Sequence, residues 1–137
     1  MIPFNELRIG NYVMADEKMQ RISLINNSKA SLLQTPSVDV EENESGETQH
    51  SFASIKPVPL SDDILRQCNF VYHDYFKFWQ LIRGEGQTRS EMDIDGDYNV
   101  LDFMRKPVVK NLASLHQLQN VYFMLKGQEL PFHKNEA

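Results

Sequence analysis

The sequence predicts an α+β fold: a small β-rich unit over residues 1–60, then a short helix, a β meander and a C-terminal helix over 61–137. Three observations carry this. Short runs of β-branched and aromatic residues alternate with Asn, Asp, Ser and Lys turns. Two segments place capping residues ahead of apolar side chains at three- and four-residue spacing. At 137 residues and 41% hydrophobic content, the chain fits one compact domain, or two very small ones sharing a core. A chain of this size buries about two-thirds of its unfolded surface.

The N-terminal unit reads as a meander. Leu7, Ile9 and Tyr12–Met14 lead to a turn at Ala15–Lys18, and Met19–Ile25 leads to a second turn at 26–29. Ala30–Leu33 forms a third piece, and Gly10 permits a sharp bend or bulge. The unit is expected to resemble a partly open, SH3-like barrel. Residues 35–51 read as a long acidic loop, because Asp39, Glu41, Glu42, Glu44 and Glu47 follow one another with no basic residue between them. Phe52–Val58 returns to strand, with Pro57 and Pro59 confining it to an edge or an end.

Ser61 suits a helix N-cap, and Asp62 and Asp63 in the first turn complement the helix dipole. Ile64, Leu65 and Cys68 share the apolar face, and Asn69 can take the left-handed conformation that ends the helix. The meander follows: 76–83 is a strong strand, 88–94 a weaker one, Asp95-Gly96 a two-residue hairpin turn, 98–103 a third strand and 107–109 an edge piece. Ser114-Leu115-His116-Gln117 matches a capping box. Leu115, Leu118, Tyr122 and Leu125 then mark a buried helical stripe that Gly127 terminates.

Charge narrows the function classes. Four basic and three acidic side chains fall in residues 1–34, one and five in 35–60, and nine and eleven in 61–137. The acidity is local and the remainder near neutral, which gives no general attraction to nucleic acid or anionic lipid. The apolar runs are too short for a membrane span. One cysteine, and a start without a signal-peptide pattern, predict a cytoplasmic setting.

Asn5–Val13 resembles the opening of a family of small bacterial and prophage proteins. Ile55–Ser61 matches in the same order, as does the more specific Leu115–Phe123 block ending in Lys126–Leu130. Residues 70–110 are similar only in pattern, Asn69 stands where the family has glycine, and the acidic segment is longer. The resemblance implies no activity, cofactor or catalytic residue.

Candidate chemistry is sparse. Asp93, Asp95 and Asp97 alternate like the start of a calcium loop, but the glycine falls one place early and Met104 holds the position of the bidentate glutamate. Cys68 has His73 and Asp74 nearby but lies on an apolar helix face. His50, His73, His116 and His133 lack metal-ligand spacing, so no metal or cofactor is expected. Arg105, Lys106 and Lys110 lie near Tyr98 and Phe103, a short version of a single-strand-binding pattern.

His116, Gln119, Asn120 and Phe123 form a stripe on the last helix and are the candidate interaction surface. The competing role, common for polar residues on a terminal helix, is to hydrogen-bond neighbouring backbone and hold the helix in place. The leading expectation is a non-catalytic protein-interaction or accessory module, of prophage origin, with an unidentified protein partner. The alternatives are a nucleic-acid-binding module built on a small barrel, and a small-ligand binder or enzyme with a site assembled only by folding.

Overall fold

The computed structural model describes residues 2–26, 37–41 and 46–133. It is an α+β protein with two five-stranded antiparallel sheets and two α-helices. Chain contacts divide it into two units, Met1–Pro59 with Ser114–Asn120, and Leu60–Ala113 with Val121–Ala137.

In the N-terminal unit, β1 (Tyr12–Ala15), β2 (Lys18–Asn26), β3 (Ser37–Glu41), β4 (Glu47–Ser51) and β5 (Lys56–Pro57) form a sheet in the order β4-β3-β2-β1-β5. Among the described residues the sheet stays open, with β4 and β5 as edges. Asp16 and Glu17, both at positive φ, make the two-residue turn between β1 and β2. Val13, Ala15, Ile22, Val38 and Val40 face one side and close over Ile2, Phe52 and Ile55. Each valine, isoleucine or phenylalanine side chain contributes roughly 1.5–3 kcal/mol when fully buried.

This corrects the expected loop over 35–51: Ser37–Glu41 and Glu47–Ser51 are paired strands. The physical reason is period two. Val38 and Val40 point into the core, while Asp39 and Glu41 between and beyond them point outward, where Arg21 meets Glu41 at 3.3 Å. The third piece expected at Ala30–Leu33 lies outside the described residues. Leu7 and Ile9 precede the first strand, and the bend at Gly10 is real, with φ of 99°.

In the C-terminal unit, Ser61 caps α1 (Asp62–Gln67), its hydroxyl accepting from the Ile64 amide at 3.2 Å. Asn69, at φ 69°, ends the helix, and the Phe70 amide donates back to the Leu65 carbonyl. The meander is β6 (Val71–His73), β7 (Phe78–Arg83), β8 (Ser90–Asp95), β9 (Val100–Leu101) and β10 (Pro107–Val109), in the order β10-β9-β8-β7-β6. β6 was not expected, and the strand expected over 98–103 shrinks to β9.

The hairpin after β8 also differs from expectation. The Asp95 amide donates to the Asn99 carbonyl, so the loop has one more residue than an Asp-Gly turn, and Tyr98 rather than Gly96 takes the left-handed conformation. The Asp95 carboxylate imposes this by accepting from the Asp97 and Asn99 amides, each at 3.0 Å. The Tyr98 hydroxyl donates to Asp62 at 3.0 Å and pins the loop to α1.

The two faces of this sheet are unlike. Trp79, Leu81, Met92, Ile94 and Val100 are buried on one side. Arg66 of α1 stacks over Trp79, and Arg83 stacks over Tyr122 of α2 (Leu115–Lys126), so the helical layer covers that side. Helix α2 belongs to the N-terminal unit up to Asn120 and to the C-terminal unit from Val121. Leu115, Leu118 and Tyr122 are buried as expected, whereas Leu125 is 52% exposed, a correction to the predicted stripe.

Candidate functional site

The structure buries two of the four residues of the candidate strip on α2 and half-buries a third. His116 and Gln119 are 1% and 2% exposed and internally bonded. Gln119 Oε1 accepts from the Tyr12 amide at 2.9 Å and from Asn11 Nδ2 at 3.4 Å, and its Nε2 donates to the Gly10 carbonyl at 3.1 Å. Asn120 Nδ2 donates to the Glu6 carbonyl at 2.6 Å, and its Oδ1 accepts from Asn11 Nδ2 at 2.8 Å. These amides bond backbone groups of the bent Glu6–Tyr12 segment, whose Gly10 amide and Asn11 carbonyl are themselves paired with Ile22 of β2. Phe123 stands apart from them: it lies in the C-terminal unit and is exposed beside Met124 and Leu125.

One constellation of this network has a catalytic look. Ser114 Oγ lies 3.1 Å from His116 Nδ1, and His116 Nε2 lies 3.2 Å from Glu6 Oε2. A nucleophile must reach a substrate, and Ser114 is 2% exposed. The trio therefore locks the start of α2 to the chain near Glu6.

Other candidates dissolve on inspection. Cys68 is fully buried, and burial pushes its thiol up to about 12, far from nucleophilic. Among the described residues no group of His, Cys, Asp or Glu is arranged to hold a metal ion. Asp95, once a calcium candidate, spends its carboxylate on loop amides. Burial works against its charge, but the backbone and side-chain hydrogen bonds from Asn99 and the Asp97 amide outweigh this and hold it below the usual carboxylate value. A cleft of about 360 Å³ beside β1 and β5 is lined by Met14, Asp16, Glu17, Ser54, Lys56 and Pro57. Its charged side chains are solvent-exposed, so no ionisable group there is desolvated into reactivity.

The distinctive surface is the open face of the C-terminal sheet. Strand alternation turns His73, Phe78, Gln80, Ile82, Glu91, Asp93, Asp95 and Leu101 to the side opposite Trp79. A polar ladder crosses this face. Gln80 Nε2 donates to Asp93 at 3.0 Å and to Glu91 at 3.4 Å, which turns Gln80 Oε1 toward His73 Nε2 at 3.1 Å. That amide orientation places the histidine proton on Nε2.

At one end of the ladder two loops bring aromatic side chains together. Tyr75 packs edge-on against Phe76 with ring centres 4.8 Å apart, and His73 stacks on Phe78 at 4.9 Å. Arg105, from the loop between β9 and β10, lies 4.6 Å over the rings of both Phe76 and Phe78. Around this clamp the apolar groups face solvent: Tyr75 is 88% exposed, Phe76 61%, Phe103 94% and Met104 63%. The loop tip carrying Phe103 and Met104 is fixed by Asp102, whose Oδ1 accepts from the Met104 and Lys106 amides, each at 2.9 Å. Lys77 and Arg105 both take left-handed φ, 56° and 61°, a conformation that glycine would adopt more cheaply.

Of the residues singled out from sequence, Arg105 and Phe103 belong to this surface. Lys106 is an exposed neighbour in the same loop. Tyr75, Phe76 and Met104 were missed. Tyr75 and Met104 fall outside the strands the sequence predicts, where turns ordinarily carry polar residues, whereas Phe76 reads as part of the strand over 76–83.

No family model matches the chain, and neither the curated proteins nor the solved structures contain a significant match to it. Among the described residues no helix is long and apolar enough to cross a membrane.

Proposed function

We propose that this protein is a non-catalytic interaction module that docks a protein partner on the open face of its C-terminal sheet, around Tyr75, Phe76, Phe103 and Met104. The observation that carries this reading is the exposure of these four large apolar side chains on loops tied by backbone and side-chain hydrogen bonds. Contiguous apolar surface on a soluble protein marks an interaction site more often than it marks nothing. Aromatic side chains on pre-ordered loops bind with little loss of conformational freedom. The acidic ladder on the same face, and the commitment of Arg105 to two rings, weigh against a nucleic acid as the partner.

The test compares the wild-type chain with a Tyr75→Ser/Phe103→Ser variant. Both positions are solvent-exposed, so their melting temperatures should agree to within the effect of about 0.5 kcal/mol. Immobilised on a resin, the wild type should retain a host protein that the variant does not. Identical retention by the two would overturn the assignment.

A further inference from the structure

Charge on the open face points to the chemistry of the partner. The strand side chains that face this side include three ionisable carboxylates, Glu91, Asp93 and Asp95, and no lysine or arginine. Glu91 is balanced by Arg89 at 2.7 Å, and Asp95 is occupied by loop amides. Asp93 differs. Its only partner among the described residues is the neutral amide of Gln80, at 3.0 Å, and it is only partly exposed on the face. A carboxylate that is half-withdrawn from water and met by a neutral donor attracts a cation more strongly than one in bulk solvent.

The cations near the face lie in its loops. Arg105 is fixed over Phe76 and Phe78, while Lys77 and Lys106 occupy the two loop ends. Asp74 and Asp102 share those loops, so the loop charges largely offset one another. Apolar side chains stand on the same face: Leu101 is the cross-strand neighbour of Asp93 on β9, Ile82 is exposed on β7, and Val71 is exposed on β6.

We infer that the face takes a cationic segment of a protein partner, an arginine or lysine flanked by apolar side chains. The positive group would meet Asp93 beside Gln80, and its neighbours would rest on Phe76, Phe103 and Ile82. This rests on the docking reading above and adds the sign of the partner's charge.

The experiment measures fluorescence anisotropy of two labelled nine-residue peptides against the full chain, one alternating leucine with arginine and one alternating leucine with glutamate. The arginine peptide should bind about tenfold more tightly than the glutamate peptide, and raised salt should narrow the gap. An Asp93→Asn/Glu91→Gln variant, nearly isosteric, should lose about tenfold in affinity for the arginine peptide. Phe103→Ser should weaken it as well.

Equal binding of both peptides, no binding of either, or full affinity in the Asp93→Asn/Glu91→Gln variant would overturn the inference. In those cases the docking reading stands if the Tyr75→Ser/Phe103→Ser variant still loses its retained protein. It falls only if that retention is unchanged.

Discussion

The N-terminal unit buries several polar side chains, and the C-terminal unit leaves several aromatic ones in solvent. In the first, Asn11, His116 and Gln119 are buried and spend their hydrogen bonds on the bent segment before β1. In the second, Tyr75 and Phe103 stand in solvent on loops clamped by Arg105 and Asp102. Side-chain class therefore misleads in both halves. Amides on a helix suggest a recognition strip and are scaffolding, whereas aromatics between strands suggest core and are surface. What separates the cases is hydrogen-bond demand. A bent segment with backbone groups turned away from its strand ladder draws polar groups inward, while a loop whose amides are already satisfied leaves its side chains at liberty.

Three measurements press on this contrast. The largest effect concerns Cys68, on the covered side of the C-terminal unit. With its thiol pushed up to about 12 from a usual 9.0, it should hold about a thousandfold less thiolate at neutral pH than in the unfolded chain. Its labelling by a thiol reagent should slow accordingly. Labelling at the unfolded rate would mean that the helical layer does not seal that side, and the contrast between its two faces would be lost.

Next is Gln119→Ala. It strips partners from the Tyr12 amide, the Gly10 carbonyl and Asn11 Nδ2 in a buried site. The expected cost is about 3 kcal/mol, read from urea unfolding. A loss under about 0.5 kcal/mol would return the strip to the status of a surface.

The smallest is Asp95→Ala, expected to cost about 1 kcal/mol at neutral pH by freeing the loop amides. Because the folded state holds this carboxyl below its unfolded value of 3.8, the stabilisation is present above that pH. It disappears as the pH falls through the folded value. Wild type and variant should therefore converge in stability in acid, and a gap that persists there would show that the loop is held by something else.

Much of the C-terminal unit was legible in the sequence, because its signals are local. Ser61, Asn69 and the aromatic strand at Phe78–Arg83 each declare their element within a few residues. The acidic segment was misread because its charge was weighed ahead of its alternation. Val38 and Val40 carry the strand, while Asp39 between them and Glu41 beyond them point away from the core. The fate of the α2 strip could not be read locally. The groups that bury His116 and Gln119 lie more than a hundred residues earlier in the chain. The open face was half visible: Phe103 and Arg105 stood out, but the turn that presents them is set by Asp102, whose side-chain bonding leaves no mark on periodicity.

The lateral strands of the C-terminal sheet carry a further consequence. A sheet that keeps large apolar side chains in solvent offers other chains a place to adhere, and unpaired strand edges would let such adhesion grow into an ordered ladder. Both of its edges are poor templates. β6 is three residues long. β10 opens with Pro107, which has no amide proton to donate, and its register slips before Val109. Lys106 and Lys110 flank it, so a second copy approaching edge-on meets like charge. Edge-to-edge association is thus resisted at the rim of the sheet, independently of the apolar side chains exposed beside its face.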